Sequence, residues 1–276
     1  MQRDSLALAV PLAALFLVAF IAPLCVLLAL SLSGDSEFGR FTLQNYVKFF
    51  TDRFNYSILI DTLLLGIKST AVCLVFGYPI AWVAARSSPR VQSLLLFIVV
   101  LPIMTSVVVR TFAWIVILGR YGVLNQIVQS LGLTQEPLKL LYSEVGVVIV
   151  LAQVQMPLMV LPILTVLSRI DPNLSDASQA LGAGAWRTLW RVTLPLSTPG
   201  IVAGCILTYA ACVTAFVTQS LIGGARLVYM PLHIYQQAVG ANNWPFAAAL
   251  SVIFMIAVLA AVALLNTIAA RAHRHA

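Results

Sequence analysis

The chain has 276 residues, of which 61% are hydrophobic and 9% charged, with a formal net charge of +7. Soluble domains carry about 25% charged residues, so this composition excludes a soluble globular protein and leaves an integral membrane protein. The positive charge is scattered over short segments beside apolar runs, which excludes a nucleic-acid footprint and points to orientation in the bilayer and to anionic headgroups.

Six apolar runs reach the ~20 helical residues needed to cross a hydrocarbon core. In chain order they are residues 6–32, 58–85, 93–118, 145–168, 199–222 and 245–270. None shows the strict alternation of a barrel strand. The predicted fold is therefore all-α and integral to the membrane, with about six transmembrane helices. The longest gaps, about 25–30 residues, are too short for a separate core, so residues 1–276 form a single membrane domain. The first run carries Arg3 as a basic flank but is much longer than a signal peptide's 7–15 apolar residues, and is expected to stay in the chain.

Six crossings put both termini on one side. With that side inside, the inner segments hold Arg3, Arg86, Arg90, Arg169, Arg187, Arg191, Arg271 and Arg274. The outer ones hold Arg40, Lys48, Arg53, Arg120, Lys139 and Arg226. The inner segments are shorter, so their basic density is higher, and both termini are expected in the cytoplasm.

After the first run, residues 33–57 form an outer loop in which the stretch from Phe41 to Tyr46 suits either a short interfacial helix or a plain connector. In the helical case Tyr46, Phe49 and Phe50 meet the water boundary. Prolines then recur inside the spans, at Pro11, Pro23, Pro79, Pro102, Pro157 and Pro162. A bilayer tolerates the broken backbone bonds only where neighbours satisfy the freed carbonyls, so bent helices packed around something are expected. Gln153 and Gln155 share the fourth run with two of these prolines and mark a face that looks at protein or water. Cys25, Cys73, Cys205 and Cys212 lie within spans, with no paired spacing and no nearby His, and read as small apolar fillers. His233 sits in an outer loop and His273 and His275 in a basic tail; none suggests a site.

Between the fourth and fifth runs, residues 169–198 are basic and amphipathic. Asp171-Pro172 starts a helix, Asp as cap and Pro in the first turn. Gly182 and Gly184 loosen it, a second apolar and basic turn carries Trp186, Arg187, Trp190 and Arg191, and Leu194-Pro195 is expected to stop it. Thr198-Pro199 then opens the fifth span. Two short helices joined at a glycine bend and tied at both ends to spans make either a lever for a soluble partner or a passive surface helix.

The order Asp176-Ala177-Ser178, three residues, Gly182, nine residues, Val192-Thr193-Leu194-Pro195 resembles the EAA loop of permease subunits of bacterial ABC importers. That pattern has Glu, Ala and Ile where this chain has Asp176, Ser178 and Val192. The resemblance implies a type I importer bundle (MetI-like), with residues 169–198 as a coupling helix gripped by an ATPase subunit. Asp176, Ala177, Ser178, Gly182, Leu194 and Pro195 become the contact and hinge positions. The chain has no G-x-x-x-x-G-K-[ST] phosphate loop, so it is expected not to be an enzyme and to hold no cofactor. ATP and Mg would sit in the partner.

The resemblance narrows to the spermidine/putrescine branch, through the stretches from Phe41 to Tyr46, Gly77 to Trp82, Val109 to Trp114, Gly122 to Asn125 and Trp244 to Phe246. Leu101-Pro102 with Thr105-Ser106 belongs to the same pattern. The stretch from Phe216 to Gly224 is similar, with Gln219 where Pro is expected. It implies four kinds of neighbour: a second homologous permease or second copy, two ATP-binding subunits, an external solute-binding protein, and the lipid of a bacterial inner membrane. A polyamine is the implied solute; the branch also includes importers of opines, phosphonates and iron.

A polycation prefers carboxylates and aromatic faces, and Asp61, Glu144, Trp114, Tyr209 and Phe216 are candidates for the path, with Trp244 as a further aromatic surface and Arg110 as a candidate of the opposite charge. Lys68 and Arg110 would repel it. Arg110 is expected to snorkel outward or pair with Glu144 or Asp61, and Lys68 to find a carboxylate or carbonyl. Were both to line the path, an anionic solute would suit better. A membrane enzyme is disfavoured because no span holds a His, Asp or Glu pair at helical spacing. An ATP-independent transporter or channel would leave the EAA-like segment without a partner.

Overall fold

The computed structural model describes residues 2–34 and 41–274, with side chains over 15–34, 41–171, 173–174 and 176–267. Arg40 and His275 lie outside the described residues, as do the side chains of Arg3, Arg271, His273 and Arg274. The described chain is helical, apart from turns and an isolated antiparallel bridge between Ser33 and Phe41. In order the helices are α1 (Gln2–Ser31), α2 (Gln44–Thr51), α3 (Arg53–Arg86), α4 (Pro89–Met104), α5 (Val107–Leu118), α6 (Val123–Ser130) and α7 (Glu144–Leu167). There follow α8 (Pro172–Ala180), α9 (Ala185–Thr188), a π-helical turn (Leu189–Thr193), α10 (Leu194–Val213), α11 (Phe216–Gly223), α12 (Met230–Tyr235) and α13 (Trp244–Arg274).

Five described stretches are long and apolar enough to cross a membrane: Arg53–Arg86, Val107–Ser130, Glu144–Leu167, Ala185–Val213 and Trp244–Thr267. Pro89–Met104 is a shorter apolar helix, and Leu15–Ser31 is the apolar part of α1 over which side chains are described. Two of the expected runs are not continuous helices. The third breaks at Thr105-Ser106, where both residues are extended. Pro102 has no N–H for the last turn of α4, and the Thr105 hydroxyl donates to the Pro102 carbonyl at 2.9 Å, competing with helical bonding. The fifth breaks after Val213, at Thr214-Ala215. Neither α4 nor α5 alone reaches the ~20 residues of a full crossing.

Leu194-Pro195 does not stop a helix. The π turn runs directly into α10, with the Leu194 N–H donating to the Leu189 carbonyl five residues back and Pro195 in the first turn. Proline is tolerated in a first turn, where its N–H has no partner to lose. One uninterrupted helical path therefore leads from Ala185 to Val213.

The contacts divide the chain into two compact units, one formed by Met1–Leu59 and Leu232–Ala257, the other by Ile60–Pro231 and Val258–Ala276. In the second, α7 packs along α10, and α5 lies on α11 while both rest on α7. Its core holds Leu65, Leu118, Val150, Leu151, Cys212 and Ile222, with a further cluster around Cys73, Ala81, Met159 and Ile163. Cys73 and Cys212 serve as the expected fillers here, both buried, with Cys73 donating to the Ala152 carbonyl; Cys205 is half-buried, and Cys25, in α1, is exposed.

The α7 and α10 backbones touch because Gly200 and Gly204 face α7. A Cβ at Gly200 would lie 2.8 Å from the Pro162 carbonyl oxygen, and one at Gly204 3.0 Å from that of Met159. This is the small-xxx-small packing of membrane helices. The G-x-x-x-G spacing was present in the sequence and marks a close helix contact on this face of α10 without naming its partner.

In the first unit α2 forms as one of the two expected readings, but its aromatics do not all meet water. Phe49 is fully buried, and the Tyr46 hydroxyl bonds that of Ser31 at 2.7 Å; Phe50 is exposed. His233, which the sequence left quiet, is buried with its ring edge-on to Phe54 and Phe246. Its Nε2 lies 2.9 Å from Asn55 Oδ1, while the Asn55 amide donates to Asp52 Oδ2 at 3.0 Å. Asn55 Oδ1 is thus the acceptor and His233 Nε2 carries the proton. The Lys48 ammonium sits 4.3 Å from the centre of the Phe246 ring.

Burial lowers the His233 pKa below 6.5, with Asp52 opposing and Lys48 reinforcing the shift. The unfolded chain then binds more protons than the folded one in the window below 6.5. Stability from this group is complete above that value and is lost as pH falls through the folded pKa. Thermal unfolding in detergent should show a melting temperature that drops on acidification below about pH 6.5, and His233→Gln should flatten that dependence.

Candidate functional site

The two helix breaks border one cavity. Its volume is about 540 Å³, and its wall includes Ile103, Val107 and Arg110 beside the first break, Thr214 and Phe216 at the second, and Gln155 from proline-bent α7. Irregular backbone within a membrane bundle is tolerated only where it is buried in protein or lines a cavity, and both breaks meet that condition by side-chain capping. The Arg110 guanidinium donates to the Pro102 carbonyl and reaches the Thr105 hydroxyl at 3.4 Å. At the second break, the Gln219 amide donates to the carbonyls of Cys212 at 2.8 Å and Val213 at 3.2 Å. Gln219 stands where proline was expected, and this double cap, together with its own N–H bond to the Ala215 carbonyl at 3.1 Å, is what glutamine supplies and proline cannot.

A second cavity of about 290 Å³ also has Arg110 on its wall, with Thr105, Trp114 and Gln153. Trp114 Nε1 donates to Gln153 Oε1 at 3.2 Å, and the Gln155 amide donates to the Ala211 carbonyl at 3.4 Å. The two glutamines flagged in the sequence therefore stiffen the walls. Arg110 is the charged residue on both walls; the other polar side chains there are amides, hydroxyls and the Trp114 indole.

The structure thus brings Arg110, Trp114 and Phe216 together and places the other path candidates elsewhere. Tyr209 is buried at 1% exposure, packed where Gly66 leaves room for it, with its hydroxyl unbonded. Asp61 is exposed on α3. Glu144, first residue of α7, pairs with Lys68 at 2.5 Å. Lys68 meets the expectation of a carboxylate partner. Arg110 pairs with neither Glu144 nor Asp61, because the Pro102 carbonyl, left exposed where α4 ends, lies within its reach.

The segment between α7 and α10 is built as two legs. The Asp171 side chain caps α8 by accepting from the Asn173 N–H at 2.9 Å, with Pro172 next to it. Gly182, at φ +84°, closes α8: its N–H donates to the Gln179 carbonyl and the Ala183 N–H to that of Ser178. This paired closure requires the left-handed conformation that glycine adopts freely. The Ser178 and Thr188 hydroxyls, 3.0 Å apart, tie the legs together. Asp176 and Ala177 are exposed, Leu181 is 90% exposed, and Trp186 and Trp190 stack edge-to-face on the outside. Asp176, Asp171 and Gln179 share a cavity of about 280 Å³ with Arg86, whose guanidinium lies over the Trp82 ring. Leu194 and Pro195 form the start of α10, directly downstream of this element.

Residues 77–275 match the family described as "Binding-protein-dependent transport system inner membrane component". The chain is 34% identical over 211 residues to the spermidine/putrescine transport system permease protein PotB of Haemophilus influenzae, covering 76% of this chain and 73% of that one. It is 33% identical over 224 residues to PotB of Escherichia coli strain K12, covering 80% and 81%. Its fold matches a chain of a bacterial ABC transporter involved in import of the acidic polysaccharide alginate, with a TM-score of 0.76 over 98% of this chain and 96% of that one, at 19% identity.

Proposed function

Because the chain belongs to the family of inner-membrane components of binding-protein-dependent transport systems, we propose that this permease carries a polyamine, driven by ATP hydrolysis in a separate subunit. It is a transport permease subunit of the inner membrane and not an enzyme. The cavity between the two helix breaks is its half of the path, with Arg110 and Phe216 on its wall and Trp114 on that of the smaller cavity that shares Arg110; Asp61 and Glu144 serve entry, and Tyr209 supports the bundle from within.

The observation that carries the coupling is the continuous helical path from Ala185 to Val213. The exposed, glycine-closed element around Asp176, Ala177, Ser178 and Gly182 is where a nucleotide-binding subunit grips. A push there reaches the break at Thr214-Ala215 through an unbroken rod that includes Leu194 and Pro195. Rocking of the rod against α7 opens the path alternately to each side, in the manner of rigid-body alternating access. The assembly comprises a second permease, two ATP-binding subunits that hold ATP and Mg, and an external binding protein, with both termini of this chain in the cytoplasm. The polyamine assignment rests on the likeness to the PotB proteins.

An anionic solute is the second reading, favoured by Arg110 as the charged group on both cavity walls. The experiment is to purify the tagged chain in detergent, identify an ATPase that comes with it, and reconstitute the assembly with its binding protein. Putrescine or spermidine should stimulate ATP hydrolysis and accumulate in the vesicles. Stimulation by phosphonates instead would replace the polyamine reading, and transport by the chain without any ATPase would remove the coupling.

A further inference from the structure

The Lys68–Glu144 pair is unusual for its place. Lys68 sits in the apolar middle of α3, yet its side chain and that of Glu144 are 49% and 45% exposed. A half-open ion pair on an apolar span is too costly to face lipid, so this side of α3 and α7 faces water or a partner permease. Asp61 lies seven residues earlier on α3, which is nearly two turns, so it shares the Lys68 face about 10 Å along the axis. The Thr62 hydroxyl accepts from the Met230 N–H at 2.9 Å and holds the preceding residue, Tyr229, beside this row. Burial first, and then the carboxylates of Glu144 and Asp61, push the Tyr229 phenol up, so both carboxylates act on one ring.

We propose that Glu144 and Asp61 form a docking row for a di- or polyamine and that the Lys68 ammonium is its tethered stand-in, holding Glu144 until an incoming ammonium displaces it. An organic amine with cationic nitrogens at the ends of a methylene chain spans two carboxylates held apart on α3 and α7, whereas a single lysine satisfies only one of them. Lys68 offers the same chemical group as the solute, on a tether, in a site open enough to exchange. In the empty row Glu144 is thereby neutralised while Asp61 keeps its charge, and a monoamine, which gains one carboxylate at most, gains little by displacing Lys68. The inference rests on the polyamine reading.

The test is uptake of labelled putrescine and spermidine by the complete reconstituted assembly with its binding protein. Glu144→Gln should lower uptake at sub-saturating solute roughly tenfold, by loss of a charge partner. Lys68→Gln removes an exposed competing pair and should raise uptake about two- to fivefold. The double variant should behave like Glu144→Gln. A pair that merely braces α3 against α7 gives the opposite pattern: both single variants lose uptake, and the double regains it because no lone charge is left. That pattern, with wild type still taking up polyamine, overturns this inference alone. If wild type takes up neither amine, the polyamine reading itself falls.

Discussion

Valine in place of Gly182 should leave the chain inserted and folded while uptake driven by ATP falls at least about tenfold, a loss of coupling worth roughly 1.4 kcal/mol or more. The residue sits at φ +84°, where a β-branched side chain is a true outlier and an L-residue is strained by about 1–2 kcal/mol. That strain falls on the paired bonds closing α8 and so changes the angle between the two legs. A Cβ there meets nothing within 4 Å beyond its chain neighbours, so apart from this local strain a clash at Cβ has to come from another polypeptide. Gly182→Asn separates the two effects, since asparagine enters the left-handed region at low cost. If clearance for a partner matters, the asparagine variant should also lose uptake; if only backbone shape matters, it should transport nearly as wild type. ATP hydrolysis and uptake are measured side by side on the same vesicles. Full uptake by the valine variant would remove Gly182 from the coupling role.

Isoleucine at Gly204 should act on the bundle itself. The new Cβ would lie 2.9 Å from Met159 Sδ, 3.0 Å from the Met159 carbonyl oxygen and 3.3 Å from its Cα. The thioether can swing aside, but the other two atoms are α7 backbone. Pro157 and Pro162 already deprive α7 of two backbone N–H groups, so a local shift there is poorly resisted and propagates toward the Gln155 wall of the cavity. Overpacking typically costs about 1–3 kcal/mol, and separating two close backbones adds lost dispersion along the contact. The expected result is a melting temperature in detergent several degrees below wild type, with uptake lost in parallel. Gly204→Ala should fall between. An isoleucine variant that melts and transports normally would show that the close approach of α7 and α10 is not what holds the bundle.

These two glycines differ in how visible they were. Gly182 stood out at fixed spacing in an EAA-like pattern, and its left-handed backbone is the physical reason for glycine there. Gly204 was equally regular, four residues after Gly200, yet a G-x-x-x-G pair says nothing about which helix it meets. Glutamine at 219 read as a departure from pattern, and only the geometry of the second break turned it into a double carbonyl cap. Arg110 and Lys68 were read as a similar problem, two cations in apolar spans, and found different solutions. The arginine fork suits a carbonyl exposed by a nearby helix break, whereas the lysine reaches a carboxylate 76 residues away in sequence.

By itself the sequence determined the membrane class, the helical spans and the two-legged element with its caps, because apolar length, helical period, and Asp, Pro and Gly signals act through bonds between near neighbours along the chain. Where the helices break, how α10 joins the element without interruption, which backbones touch, and which charge finds which partner were decided only in the tertiary structure. Each depends on groups far apart in sequence coming within a few ångströms, and on the cost of leaving a backbone N–H or carbonyl without a bond away from water.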